Sequence, residues 1–584
     1  MSSLLPFVEP RSTELEAAID TLATAGGLEE RGAVFTKTGV VEAILDLCGY
    51  TVDAELESKR LLEPSFGDGE FLLAAVQRLV ESFSLSGIPK SEALDVLTDS
   101  IRGVELHRET YEATAKRVIS QLVESGIDDG VAQALAQSWL CNDDFLLADL
   151  GGSFDFVVGN PPYVRQERIP NLLLETYKRR FATLYDRADL YVLFYERGMD
   201  LLDDGGVLGF ICANRWIKNK YGGPLRRKVG AGFNLKYFID LERADVFHSE
   251  VIAYPAITVI QRSSAKRTRV ALGNRESGAG LDEVVVNLTK RRSVTRQPRN
   301  GNGISDIDDV PNDKDPWLLD APHVLHILRS LECRLPALEE DGAKVGIGVA
   351  TGADRVFIQE YDAIPVETAR KLRLAMASNC VDGAVAWGGK GVVNPYLESG
   401  QLAAFDEFPL FAAYMEQNGE ALKRRHTAKK QPNKWYKTID RIYPQLVAQP
   451  KLLIPDIKGE ATVAYDAGQF YPHHNLYVVT SDTWDLRALQ AILRSSVALM
   501  FVAAYCVRMS GGFLRFQAQY LRRIRCPRFA TLSRAEQGAL ASVATEADQD
   551  ALDSVVLPLY GLSESEAAAV VAYARDARVL RKGQ

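Results

Sequence analysis

Between residues 58 and 262 the chain alternates short apolar runs with amphipathic stretches, and few architectures accommodate that rhythm. The runs "RLLEPS", "IRGVEL", "SWLCND", "FDFVVGN", "GVLGFICAN", "NLKYFIDL" and "AITVIQR" are apolar on both sides of the pleat, as strands covered on two faces must be. Helical periodicity fills the intervals, for example over 69–83 and 189–202. Strand–helix repetition of this kind predicts an α/β fold, a doubly wound parallel sheet of Rossmann-like form with helices on both faces.

The flanking segments read differently. Residues 1–30 predict an N-terminal helical extension to an α/β domain over 31–264. Residues 265–320 are rich in charge, Gly, Asn and Asp and poor in apolar positions, which predicts a linker or insert. A second, mixed α+β domain is expected over 321–528, followed by a helical segment over 529–584 whose last two helices meet at Gly561, with Ser563 as N-cap. The seven cysteines lie far apart, with no CxxC pair, so neither a zinc site nor a disulfide framework is expected and a reducing cytoplasm is. The start "MSSLLPFVEP" lacks the basic and apolar regions of a secretion signal, and the longest apolar run, "SSVALMFVAAYCV", is too short to span a bilayer.

Net charge is −9, yet local patches set the field that a ligand meets. Residues 421–458 carry ten Lys/Arg against two Asp/Glu, with Trp435 and Tyr436 among them. A second basic run covers 289–299.

Ligands of open parallel sheets bind beyond the carboxyl ends of the strands, so the residues that follow each strand carry the chemistry. After the first comes "EPSFGDGEF", whose Gly67 and Gly69 permit a tight turn and exposed backbone N–H groups, although the third glycine of a dinucleotide fingerprint is replaced by Leu72. The second strand ends at Glu105, where a carboxylate can accept both hydroxyls of a ribose. The third is followed by Asp144 and Phe145, an acceptor for an exocyclic amine beside a ring that can stack on a purine. Taken together these ends point to an adenosine-bearing cofactor. The fourth is followed by Asn160-Pro161-Pro162-Tyr163. An amide oxygen, carbonyls next to prolines and a flat aromatic face suit a planar group whose NH₂ must be held by both hydrogens. Such acceptors favour a pyramidal nitrogen and direct its lone pair at an electrophile, with no need of a metal.

These words together resemble the TaqI-like (gamma-class) DNA adenine-N6 methyltransferases of type II restriction–modification systems, in which NPPY is the catalytic motif and S-adenosylmethionine the cofactor. "RGAVFTKTGVVEAIL" resembles the N-terminal cofactor motif and implicates Thr36, with Lys37 where the family usually has proline. "LLEPSFGDGEFL" resembles the methionine-binding motif and implicates Glu63, Pro64, Ser65, Phe66 and Gly67. Glu105 falls at the ribose position, Asp144 and Phe145 at the adenine position, and Asn160 at both the catalytic and cofactor positions. "DLYVLF" resembles the segment whose last aromatic, Phe194, packs on the cofactor adenine. "DVFHSEVIAYPAITVI" resembles the motif whose Phe247 stacks on an extruded base opposite Tyr163. Farther on, "VGIGVATGADRVFI", "QPKLLIPDI", "FYPHHNLYVV" and "GGFLRFQAQYLRRIRCP" resemble the TaqI-like specificity domain.

The resemblance implies site-specific methylation of N6 of a flipped-out adenine in duplex DNA, protecting host DNA from a cognate restriction endonuclease. It implies double-stranded DNA as partner and no membrane. The expected DNA contacts are Lys429, Lys430, Lys434, Arg515 and Arg522, which would hold phosphates. The rival readings are methylation of another planar amine (cytosine N4 or an RNA adenine) and of a protein glutamine.

Overall fold

The computed structural model of the protein describes residues 11–24, 36–241, 255–272, 281–289, 304–307, 310–459, 461–507 and 513–578. The chain divides into two compact units, Met1–Pro322 and His323–Gln584.

The first unit is built on β1 (Leu61–Glu63), β2 (Ile101–Glu105), β3 (Leu140–Asn142), β4 (Phe154–Gly159), β5 (Leu202–Ala213), β6 (Asn234–Asp240) and β7 (Pro255–Gln261). The same sheet continues through β8 (Thr268–Leu272) and β9 (Ile304–Ile307), giving nine strands in the order β3-β2-β1-β4-β5-β7-β6-β8-β9. Strands β1 to β5 are mutually parallel, and β7 runs antiparallel between β5 and β6. All seven apolar runs of the sequence are strands.

Because successive residues point to opposite faces, each central strand feeds two cores. Leu61, Phe156 and Val158 pack with the helices Thr38–Cys48, Glu70–Leu85, Arg108–Glu124 and Asp129–Trp139. Leu62, Val157 and Leu208 pack on the other side with Asn171–Arg180, Tyr191–Asp200 and Gly223–Gly232, and the N-terminal helix Thr13–Ala23 joins that layer. Each fully buried side chain of this kind stabilises the fold by about 1.5–3 kcal/mol, which explains why the central strands are mainly apolar.

The described parts of 265–320, expected to be a linker or insert, pack within this unit. β8 pairs with β6 and β9 with β8, extending the sheet. The buried Trp317 packs against Trp216 with ring centroids 5.5 Å apart, and its backbone N–H donates to the Ile217 carbonyl. Arg226, 1% exposed, donates to the carbonyls of Lys314 and Asp315 and ties the same stretch down. The polar composition misled because β9 is an edge strand, half-exposed along its length, and carries no apolar run.

The second unit contains a six-stranded and a four-stranded sheet. Leu476–Ser481 lies at the heart of the larger one, between Ala343–Ile347 and Lys451–Pro455, antiparallel to both. The apolar run 496–505 is a helix buried at every position, and no single described helix is long and apolar enough to cross a membrane. Helices Arg534–Ser542 and Glu564–Ala577 pack on Leu486–Arg494 and Ser496–Tyr505, so the C-terminal segment belongs to this unit. Gly561 takes a left-handed conformation and Ser563 forms a capping box with Glu566, as the sequence indicated.

Candidate active site

From β1 the chain proceeds outward to β2 and β3, then crosses back to β4 and proceeds outward to β5 on the other side. The carboxyl ends of β1 and β4 therefore flank the point where strand order reverses, the place where α/β sheets hold ligands. Two segments converge there, Glu63–Gly69 and Gly159–Tyr163.

Gly159, the last residue of β4, lies against the first segment. Its φ of 151° lies outside the range that side-chain-bearing residues favour. A Cβ there would stand 3.5 Å from Pro64 Cδ and 3.6 Å from Glu63 Cγ. Beyond it, the Asn160 amide nitrogen donates to Thr36 Oγ1 at 3.1 Å. Thr36 is itself buried, so the amide is held by its NH₂ end and its carbonyl oxygen is turned away from Thr36. Pro161 is buried, and Pro162 and Tyr163 are half-buried. The Tyr163 ring leans on Tyr191 with centroids 6.2 Å apart. Its phenol lies next to the Cys212 thiol, and burial raises the pKa of both groups, which stay protonated.

The turn after β1 is braced from both sides. Gly67 N–H donates to Glu105 Oε2 at 2.9 Å, and Thr114 Oγ1 donates to the Gly67 carbonyl at 2.8 Å. Glu105 Oε1 accepts from His107 N–H at 2.8 Å, so both oxygens of this buried carboxylate are fixed at the end of β2. The Phe66 ring points inward against Tyr111, with centroids 6.2 Å apart, and contributes to the turn through its backbone. Ser65 is half-buried. Glu63 is buried with Oε2 lacking a hydrogen-bond partner among the described residues. Burial, then the neighbouring Glu70 and Glu105, raises its pKa well above the ordinary carboxylate value. A buried acceptor with no donor beside an open glycine turn is an arrangement that a cationic group would complete.

Asp144 is already engaged at both carboxylate oxygens. Its Oδ2 accepts from Tyr177 O–H at 2.5 Å and its Oδ1 from Leu146 N–H at 2.8 Å, so a base amine must share this carboxylate with Tyr177. Phe145 and Phe194 are brought together, ring centroids 4.9 Å apart, and both are buried. Phe247 lies outside the described residues.

Three side chains that support this end of the site were not anticipated. Arg197 is buried on the same helix as Phe194, its guanidinium 5.0 Å from the Phe145 ring, and donates to the carbonyls of Phe145 and Ala148. Desolvation lowers its pKa to about 10. Tyr177 holds Asp144, and Arg11 forms a two-pronged ion pair with Asp143, the second bond being 2.7 Å. The available signal for Arg197 was a cation in a short, mainly apolar helix, beside Glu196.

The residues expected to hold DNA belong to the second unit. Lys429, Lys430 and Lys434 are exposed. Arg515 is instead paired with Asp456, and Arg522 with Glu339 at 3.0 Å while also donating to the Val345 carbonyl. These two arginines already have carboxylate partners in the fold, whereas the three lysines are open to solvent. Trp435 and Tyr436 are half-buried against Phe405.

Residues 73–247 match the Eco57I restriction-modification methylase family, and 412–525 the TaqI-like C-terminal specificity domain. The type II methyltransferase M.PaeR7I of Pseudomonas aeruginosa is 50% identical over 555 residues, covering 95% of this chain and 96% of that protein. M.XhoI of Xanthomonas vasicola is 49% identical over 542 residues, covering 92% and 98%. Among solved structures, the type IIL restriction-modification enzyme MmeI in complex with DNA has a similar fold, with a TM-score of 0.59 at 11% identity over 97% of this chain and 76% of that one.

Proposed function

The chain belongs to the type II DNA methyltransferases of restriction–modification systems, and on that basis we propose that it methylates N6 of an adenine turned out of duplex DNA, with S-adenosylmethionine as donor. The observation that carries the reading is the Asn160 amide, held by Thr36 beside the Glu63–Gly67 turn at the reversal point of the sheet. In a base-paired duplex the amine is engaged, so the target must leave the stack to reach this corner.

The cradle fits the donor. The orphaned Glu63 Oε2 suits the ammonium of its methionine part, Glu105 suits the ribose, and the Asp144–Phe145 turn with Phe194 suits the adenine. When bound, S-adenosylmethionine supplies a methyl group on a positively charged sulfur that leaves as a neutral thioether. The protein contributes orientation. Asn160 Oδ1 and the Pro161 carbonyl accept the two amine hydrogens, and the Tyr163 face holds the base plane. Drawing on both hydrogens localises the nitrogen lone pair towards the methyl carbon. Burial keeps Tyr163 and Cys212 protonated, so neither takes the proton shed by the product amine. Methylation of this kind would shield a site from a cognate endonuclease.

The exposed Lys429, Lys430 and Lys434 would engage phosphates. Replacing all three with Glu is expected to flatten the plot of log K against log salt by about 0.9 for each phosphate no longer neutralised, with cofactor affinity unchanged. An unaltered slope returns these lysines to an ordinary solvated surface.

Glu63 gives a prediction with a defined sign. Its pKa is raised by folding above the ordinary 4.5, so its contribution to stability is intact below about pH 4.5 and is lost as pH rises through the folded value. Glu63→Gln should therefore raise the thermal midpoint of the ligand-free protein at pH 7–8, and the gain should vanish towards pH 4.5. The same variant should bind S-adenosylmethionine at least about tenfold more weakly, having lost a charge-assisted partner for the ammonium. A stabilised protein with undiminished affinity would remove Glu63 from the cradle.

The reading is tested by incubating the protein and duplex DNA with methyl-labelled cofactor, then digesting the DNA to nucleosides. Label is expected in N6-methyldeoxyadenosine; label in N4-methyldeoxycytidine would reassign the target.

A further inference from the structure

The second unit contains a cluster for which the proposed reaction has no use. Asp354, His473 and His474 each present one potential ligand atom, and the three atoms all lie within 4.8 Å of one another. The His473 side chain is 4% exposed, and its Nε2 stands 3.7 Å from Asp354 Oδ2, too far for a hydrogen bond. Neither ring nitrogen of His473 nor Nδ1 of His474 has a hydrogen-bond partner among the described residues. Buried polar atoms are ordinarily satisfied, so three orphaned nitrogens beside one carboxylate call for a ligand.

The backbone assembles this group from two distant stretches of chain. Val349 N–H donates to the Pro472 carbonyl at 2.9 Å, and His474 N–H donates to the Val349 carbonyl at 3.0 Å. Asp354 then opens the short helical turn Asp354–Phe357. Thr351 Oγ1 donates to Asp354 Oδ1 and itself accepts from Ala353 N–H at 3.1 Å. One carboxylate oxygen is thereby anchored while the other is left towards His473, the outer support that ligating carboxylates characteristically have. The two imidazoles lie with centroids 4.0 Å apart.

We infer that Asp354, His473 and His474 form a binding site for a divalent transition-metal ion, with a fourth position open to water. Two imidazoles and a carboxylate suit Zn²⁺, Co²⁺ or Ni²⁺ and not Mg²⁺ or Ca²⁺, which prefer all-oxygen shells. Tetrahedral bonds of about 2.0–2.1 Å place ligand atoms about 3.3 Å apart, so small side-chain rotations close the present spacing. The Asp354 side chain is 53% exposed, which gives an ion a way in. Bound there, the ion fastens the 349–354 loop to the 471–474 segment and closes a long stretch of chain.

The test uses the untagged full-length protein, stripped with chelator and dialysed. Titration with ZnCl₂ should show one ion per chain and a raised thermal midpoint, and Co²⁺ should give a visible absorption band that Zn²⁺ displaces. Asp354→Asn, on an exposed side chain, and His474→Gln should each weaken Zn²⁺ affinity at least about tenfold, with the circular dichroism of the fold retained. Absence of stoichiometric Zn²⁺ binding in the unaltered protein overturns the site, as does affinity retained in both variants.

Discussion

Asn160→Ala is expected to lower the rate of methyl transfer by about 10²–10³-fold while leaving S-adenosylmethionine affinity within about threefold, because it deletes one preorganised partner of the reacting nitrogen. The loss belongs in kcat, since the interaction strengthens as the nitrogen becomes pyramidal and contributes little to ground-state binding. Thr36→Val separates orientation from contact. Thr36 supplies an oxygen that holds the Asn160 NH₂ end, so its loss leaves the acceptor present but less firmly oriented. A decline of about tenfold is expected, equivalent to one ordinary hydrogen bond. Equal losses in the two variants would indicate that Asn160 only maintains the corner, and undiminished transfer by Asn160→Ala would remove the catalytic assignment.

Arg197→Met should produce the largest loss of stability near the site. The side chain is 7% exposed, and its guanidinium serves the carbonyls of Phe145 and Ala148. Methionine fills similar volume but leaves both carbonyls buried without donors, each costing about 1–3 kcal/mol. Removal of a desolvated cation, whose pKa is already lowered to about 10, returns part of that cost. A net loss of about 3 kcal/mol is expected in denaturant unfolding of the first unit. Because Phe145 would then shift against Phe194, cofactor affinity should fall about tenfold as well. Stability within about 0.5 kcal/mol of the unaltered protein would show that the two carbonyls find other partners.

The legibility of this chain follows from burial. Strands covered on both faces, such as "FDFVVG", cannot hide, because nearly every position is apolar; all seven were apparent. The edge strand Ile304–Ile307 is half-exposed and reads as loop. At the candidate site the chemistry-bearing residues were legible because they follow those strands directly. Their supports were not. Tyr177, Arg11 and Arg197 act through neighbours distant in sequence, and only the cation in a mainly apolar helix gave a sign. In the second unit, charge alone did not show that Arg515 and Arg522 pair with Asp456 and Glu339 in the fold. His473 and His474 are adjacent, but the carboxylate they face comes from another part of the chain, so no spacing could reveal them.

The central claim is that the corner at Asn160 delivers a methyl group to adenine N6. Single-molecule sequencing of DNA from a bacterial host carrying the gene, compared with one carrying the Asn160→Ala form, tests it most directly. The account predicts N6-methyladenine at nearly every copy of one short sequence, and its disappearance in the variant host. Cytosine modification, or adenine marks that persist with the variant as sole source, would contradict it.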